Sequence, residues 1–544
     1  MKESLSRSLT PFIIQISLAL LAFTVRQIGI EAPSITQDES TMVLFAKGVL
    51  ERGYPFITQR FDEFLISTYE LVPYPIAFSM WLHGGFSEAA VRYPASLFAT
   101  GTTLLIYRFG VNLFDQRTGF FAALTFALLP WAIYWGSNAF YPSQLQFFAL
   151  SFIMVVHKIL YDKNVSAKWF YISFLVYIPT YLSWEGSGFI LPVVFITALL
   201  LRWGQWHWLL NLHSWLAGTL LIFLVVSQLT YRTLMREPFN SVFGGGRSEI
   251  SFASLGLSKV NFDPLYYFIS STSESHVLLT LLFLGGLIFN RKDWHLRYLH
   301  TIILISIATI TLLLGFYSLR YIFFLLPLVC LAAATTTIHF ADRITTNLGD
   351  ARSLFTVKLA KILIIGGLLI NFLLVSTPWG VRPLELMERF QKNRPNELRP
   401  DLRGFGFRSV ITALQNNFRP GDVVLTQASF PHTLYTGTTG DYYLQNIGIA
   451  SIFFHPNSKL AYIDKWIGNP VLRSKAELEE VLANSKRVWF AQAPNSHSNI
   501  DDDLYNFVTT RMKMVDESFD GSLYLWVNPA MQQSKAIMSS SNTE

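Results

Sequence analysis

Apolar residues along this chain come in long runs rather than in alternation. Many runs of about 18 to 22 residues recur, near the length a helix needs to cross a hydrocarbon core of roughly 30 Å. The pattern predicts about eleven spans, near 10–30, 91–111, 118–136, 143–161, 169–183, 188–202, 208–229, 276–290, 298–316, 321–341 and 361–378. The stretch 72–86, VPYPIAFSMWLHGGF, is apolar but short and carries two prolines, so it reads as re-entrant or interfacial. After about Pro378 the pattern changes. Strand-length runs (DVVLTQ, ASIFFH, RVWFAQ, SLYLWV) alternate with helical patterns (FRSVITALQNNF, KAELEEVLANS). The expected architecture is a polytopic α-helical membrane protein, residues 1–378, with an α/β domain over 379–530 and a disordered tail over 531–544.

Polar positions between the runs orient the chain. With the N-terminus inside, the inside loops receive Arg108 and Arg117, then Lys158, Lys163 and Lys168, then Arg202, then Arg291, Lys292 and Arg297, then Arg343, Arg352, Lys358 and Lys361. Short inside loops are thus consistently basic. The outside receives the long loop 31–90, short loops at 137–142 and 184–187, the loop 231–275 and everything after the last span. The expectation is an integral protein of the plasma (inner) membrane, with a cytoplasmic N-terminus and an extracytoplasmic C-terminal domain.

Composition agrees with a bilayer. Hydrophobic residues make up 51% and charged residues 14%, against roughly 25% charged in soluble domains. The first run is too long for a signal-peptide core and lacks a small-residue cleavage site, so it reads as a retained helix. The net charge of +6 belongs to the basic loops, and no soluble segment shows a basic stripe interleaved with aromatics, which argues against a nucleic-acid partner. Cys330 is the single cysteine, so no intramolecular disulfide forms. His83, His276 and His295 are scattered without metal-ligand spacing.

Candidate chemistry begins at QDES, residues 37–40. Met42, Val43, Phe45, Ala46, Val49 and Leu50 follow at helical spacing, which predicts an amphipathic helix on the membrane surface with Asp38 and Glu39 at its start. Acidic residues suit a helix N-terminus for electrostatic reasons alone. Charge placement therefore does not separate a structural from a chemical role.

The order of the segments adds to this reading. A first apolar helix, the acidic pair, an amphipathic helix, FSEAAVRYPASLFATGTTLLIYRFGVNLF, GFFAALTFALLPWAIYWGSNAFY and LRYIFFLLPLVCLAAA follow one another. This set resembles the C-type (GT-C) membrane glycosyltransferases, in the branch of protein O-mannosyltransferases and lipid A aminoarabinose transferases, over most of residues 1–341. The resemblance implies an enzyme that takes a sugar from a polyprenyl-phosphate donor and moves it to a protein, lipid or glycan acceptor on the outer face. It implies an acidic residue of the first outer loop as general base, or as a ligand of a divalent metal ion; Asp38 is the matching position, with Glu39 supporting it. A cation followed by tyrosine matches the donor-phosphate site at Arg320 and Tyr321. Arg247 in the glycine-rich FGGGRSE is a second candidate for the phosphate, although such a loop also reads as flexible.

The chain departs from the family where a second acidic residue often follows the third span. Here the loop reads GSNAFYPSQ, and Tyr141 stands about where that carboxylate falls. Glu70 in STYELVPYP and Glu185 in LSWEGSG are the outer-facing substitutes. Two other readings stand beside the glycosyltransferase: en bloc transfer of a glycan, as in oligosaccharyltransferases, and a transporter or flippase for lipid-linked glycans. A transporter puts ionisable groups near the midplane of its spans, whereas here they gather at span ends and in loops.

Overall fold

The structure is a computed structural model that describes residues 2–243, 279–288, 292–313, 319–347, 366, 407–447, 452–492, 500–518 and 521–529, less residues 32, 61–63 and 68. The expected last span 361–378 apart from residue 366, the loop bearing Arg247, and the tail lie outside the described residues.

The chain opens with α1 (Lys2–Gln27) and α2 (Gln37–Arg52), then the hairpin β1 (Phe56–Thr58) and β2 (Phe64–Ile66), and the short α3 (Pro73–Leu82). At about 1.5 Å per residue, α3 is too short to cross a bilayer. There follow α4 (Glu88–Leu113), α5 (Gln116–Leu128), α6 (Pro130–Gly136), α7 (Tyr141–Tyr161), α8 (Lys168–Ser183), α9 (Ile190–Leu201), α10 (Leu212–Phe243), α11 (Leu279–Ile288), α12 (Trp294–Leu313) and α13 (Leu326–Asn347). α4 is central, packed against α1, α3, α5, α6 and α7, while α5 also packs on α13. Among the described residues, four segments are long and apolar enough to cross a membrane: Tyr141–Tyr161, Leu212–Tyr231, Trp294–Leu312 and Phe323–Arg343.

The single span expected over 118–136 is two helices. Leu129 is extended, with ψ 122°, because a residue preceding proline is pushed out of the helical region and Pro130 has no N–H to continue the ladder. The break turns α6 and the loop after it back toward α2.

Thr36 starts α2 through a capping box: its side chain accepts from the Glu39 N–H, and Glu39 accepts from the Thr36 N–H. Gly53, at φ 79°, ends the helix in a left-handed cap. The apolar face that the pattern assigns to the membrane surface is covered by protein. Met42, Val43, Leu44, Phe45 and Ala46 are buried, and α3, β1 and the C-terminal region pack on the helix. Gly48 permits the closest approach, since a Cβ there would stand 2.1 Å from the Phe56 carbonyl oxygen. Gly48→Ala is expected to destabilise the protein by about 1–3 kcal/mol, the range for overpacking, visible as a lowered thermal unfolding midpoint in detergent.

Residues 407–529 build a six-stranded mixed sheet, ordered β7-β4-β3-β8-β10-β9. Its strands are β3 (Val423–Thr426), β4 (Tyr442–Leu444), β7 (Val471–Leu472), β8 (Arg487–Gln492), β9 (Lys513–Ser518) and β10 (Gly521–Val527); β5 (Ile452–Phe454) and β6 (Tyr462–Asp464) pair separately. The four quoted strand-length runs supply β3, β5, β8 and β10. Alternation along β8 fills both faces. Val488 and Phe490 join the core under α16 (Lys475–Asn484) and α17 (Asp502–Arg511), and Trp489 and Ala491 join that under α14 (Arg408–Asn417). The remaining helix, α15 (Ser429–Thr436), lies on α2. Phe430, Leu434 and Ile467 belong to the same apolar core as α2 and the helix bundle. The C-terminal region is thus packed onto the first loop rather than tethered beside it.

Candidate active site

Asp38 occupies the first turn of α2, where its carboxylate is still partly open, 46% exposed. It forms an ion pair with Arg320, from the short 3-10 turn Leu319–Tyr321 ahead of α13. The guanidinium lies over the Phe140 ring, 5.2 Å from its centroid, a favourable arrangement for a cation on an aromatic face. Tyr321 is buried and stacks on Trp184 at 4.8 Å; Trp184 stacks on Tyr141 at 5.4 Å, and Tyr141 on Tyr69 at 4.8 Å. Four aromatic rings therefore wall the Asp38–Arg320 pair. Gly186 lets Trp184 fold into this stack, since a Cβ there would stand 2.3 Å from the indole.

Two polar atoms in this wall make no hydrogen bond among the described residues: Arg320 Nε and the Tyr141 hydroxyl, both buried. Buried polar groups normally find partners, and exceptions mark strain or a missing ligand. A guanidinium N–H and a phenol beside one another suit an anionic oxygen.

Glu39, one residue on, has a different place. It is fully buried and takes a two-pronged contact from Arg92 of α4, Nε to Oε1 at 2.7 Å and Nη2 to Oε2 at 2.9 Å. The Ala139 N–H donates to Oε1 at 2.8 Å and the Thr36 N–H to Oε2 at 3.0 Å. Burial pushes the Glu39 carboxyl up, but Arg92 and these N–H groups outweigh it and hold it below the usual carboxylate range. Arg92 also donates to the carbonyls of Ile30, Pro33 and Ser34. A guanidinium has five N–H donors, and all five are engaged. Glu39 and Arg92 thereby tie together the end of α1, the start of α2, α4 and the loop carrying Phe140. Glu39 thus fixes the first turn of α2, the turn that also carries Asp38.

Glu70 accepts from the Tyr54 hydroxyl at 3.5 Å, while its neighbour Tyr69 enters the aromatic stack. Glu185 opens the 3-10 turn that follows Trp184, at the edge of the same stack. Arg247 lies outside the described residues.

Residues 71–231 match the family model described as dolichyl-phosphate-mannose-protein mannosyltransferase. The fold is similar to that of ArnT from Cupriavidus metallidurans in the apo state, at a TM-score of 0.60 and 11% identity, over 95% of this chain and 98% of that one. The same protein bound to undecaprenyl phosphate gives 0.59 and 10%, over 94% and 97%.

The chain has an ArnT-like fold. The apo oligosaccharyltransferase of Archaeoglobus fulgidus is a more distant likeness in fold, at 0.52 and 12% identity, over 88% of this chain and 69% of that one. No curated protein sequence matches the chain. The family model and the fold together support a membrane glycosyltransferase.

The GT-C resemblance left open a divalent metal on Asp38. Such an ion needs several hard oxygen ligands. Here Asp38 faces a cation, both oxygens of Glu39 are taken by donors, and position 141 is a tyrosine. Among the described residues no group of three or more His, Cys, Asp or Glu stands together. The donor set among the described residues does not fit a metal.

Arg92, in AAVRYPASL, is a site residue that the sequence pattern alone does not single out. A lone arginine at the start of an apolar helix is costly unless paired, and that was the available signal. No sequence signal marked Tyr69, Phe140 and Trp184, because their role arises from stacking between segments far apart in the chain.

Proposed function

We propose that this protein transfers a sugar from a polyprenyl-phosphate donor to an acceptor hydroxyl at the outer face of the membrane, with Asp38 as general base and Arg320 as the phosphate-binding cation. The observation that carries the reading is the Asp38–Arg320 pair: a part-exposed carboxylate and a guanidinium with one unused buried N–H, meeting across 282 residues of sequence. In the resting state the two neutralise each other. A donor phosphate competes for Arg320, and its arrival frees Asp38 to face the acceptor. Asp38 then takes the hydroxyl proton as the acceptor oxygen attacks the anomeric carbon. The bond from that carbon to the phosphate oxygen breaks, its electron pair stays on the phosphate, and Arg320 stabilises the developing charge. The unpaired Tyr141 hydroxyl offers a further hydrogen bond to the same phosphate. Tyr69, the partly exposed ring of the stack, supplies apolar surface against which the sugar packs, and the buried rings behind it hold it in place. ArnT, of similar fold, binds undecaprenyl phosphate, which supports a lipid phosphate here.

The test uses purified protein in detergent with labelled polyprenyl-phosphate sugars and a membrane extract as acceptor. Label is expected in the acceptor fraction; absence of transfer from every such donor overturns the reading, and label crossing sealed vesicles without transfer would favour a flippase. Arg320→Gln tests the phosphate contact through lipid binding, a readout separate from turnover, because the change also removes the pair with Asp38. Loss of one charge-assisted hydrogen bond costs about 1.5–3 kcal/mol, so undecaprenyl phosphate is expected to bind roughly ten- to hundred-fold more weakly. Equal thermal stabilisation of wild type and variant by that lipid would move the phosphate elsewhere.

A further inference from the structure

One side chain of the C-terminal region bonds directly to the backbone just ahead of α2. The Tyr435 hydroxyl, at the end of α15, accepts a hydrogen bond from the Ile35 N–H at 3.0 Å and donates to Glu88 Oε1 at 2.5 Å. Ile35 directly precedes Thr36, the cap of the helix that presents Asp38. Glu88 sits in the first turn of α4, one turn before Arg92, and its other oxygen accepts from Arg408 of α14 at 2.5 Å. Arg408 also donates to the Glu31 carbonyl at 3.1 Å. Hydrogen bonds thus run from the C-terminal region to Glu88, whose carboxylate acts electrostatically on Arg92 one turn later, and Arg92 holds Glu39 beside Asp38. Burial and the nearby Glu88 carboxylate both hold the proton on Tyr435, so the phenol stays a donor to Glu88 while accepting from the backbone.

Packing locks this contact in place. The Tyr435 ring meets Phe86 edge-on at 6.0 Å, and Phe430 and Leu434 from the same helix are buried in the core that contains α2. A second clamp holds the hairpin: Gln59 Nε2 donates to the carbonyls of Lys465 and Trp466 at 2.9 and 3.1 Å, and the Arg60 N–H to that of Ile467 at 2.8 Å. The turn that receives it is built on Asp464, whose buried carboxylate accepts from the N–H groups of Trp466, Ile467 and Asn469. Both ends of the segment around α2 are therefore held by the C-terminal region.

We propose that Tyr435 is a positioning residue for the reaction: its hydroxyl sets the backbone at Ile35, and so the aim of Asp38, making the C-terminal region part of the active site. Catalysis is sensitive to small misplacements of a reacting group, with about hundred-fold effects for 1 Å, and one hydrogen bond at the cap of α2 is well placed to produce one. The inference rests on the proposed role of Asp38, and one of its readouts does not.

Tyr435→Phe keeps the ring and its packing and removes only the hydroxyl. Expected are faster hydrogen–deuterium exchange in peptides covering residues 33–40, a kcat about tenfold lower, and a KM for the polyprenyl-phosphate donor unchanged within about twofold, since Arg320 is untouched. Unchanged exchange, or faster exchange with unaltered kcat, overturns the proposal. A raised KM with intact kcat does so too, because it points to donor binding rather than to the aim of the base. Arg408→Gln, which leaves the Tyr435–Ile35 contact in place, is expected to change exchange over 33–40 less than Tyr435→Phe; the reverse order would assign the clamp to the ion pair instead. If wild type transfers no polyprenyl-phosphate sugar, the proposed function fails, and the exchange measurement still decides whether Tyr435 orders this segment.

Discussion

Asp38→Asn is expected to lower kcat for sugar transfer by roughly 10²–10⁴-fold, the contribution of a positioned general base, while leaving the folded protein intact. The substitution preserves size and one oxygen acceptor but cannot take a proton. Its structural cost is expected to be modest because Asp38 is nearly half exposed and the asparagine amide still offers an oxygen acceptor to Arg320. The capping box of α2 uses Thr36 and Glu39, so it survives the change. Donor affinity is expected to hold or rise, because the asparagine no longer competes with phosphate for Arg320. The measurement is transfer from a labelled donor alongside lipid-phosphate binding. Full retained turnover would remove Asp38 from the chemistry, and weakened lipid-phosphate binding with intact turnover would place Asp38 in donor binding rather than in proton transfer.

Arg92→Met is expected to be the most destabilising of the substitutions considered, by about 3–5 kcal/mol, the cost of leaving one partner of a buried ion pair without the other. Both side chains are shielded from solvent, at 2% and 0% exposure. Removing the guanidinium leaves the Glu39 carboxylate charged and buried, and takes donors from three backbone carbonyls at once. Arg92→Lys is not expected to rescue, since an ammonium has three donors and no planar fork to match a carboxylate. The double change Glu39→Gln with Arg92→Met is expected to be milder than Arg92→Met alone, because the unpaired charge is gone. Thermal unfolding in detergent, compared across the three variants, checks the order. A double variant as unstable as the single one would mean that the carbonyl contacts, and not the charge, dominate.

Asp38 and Glu39 are adjacent and chemically alike, and the fold gives them opposite places. At the second and third positions of a helix, successive side chains point about 100° apart. One turns outward to Arg320, and the other inward to Arg92 and the cap. No reading of QDES separates them without knowing what packs on each side of α2. The same holds for the apolar face of that helix, whose periodicity was legible but whose partner was not: α15 covers it, from nearly 400 residues away in sequence. Pro130 shows the converse. It breaks the expected span 118–136 for a reason that is local and visible in the sequence.

What the sequence determined by itself is local or cumulative. The apolar runs that make helices, the strand-length runs of β8 and its neighbours, the acidic start of α2, and the resemblance of Asp38 and Arg320–Tyr321 to a family pattern all depend on residues near one another or on their order. Only the tertiary structure decided the pairing of Asp38 with Arg320, the sequestration of Glu39 by Arg92, the four-ring stack through Tyr141 in place of a second carboxylate, and the seat of Tyr435 on the loop before α2. These contacts join segments separated by tens to hundreds of residues. Ion pairing and ring stacking act over a few ångströms, and sequence order carries no record of which distant groups packing will bring within that range.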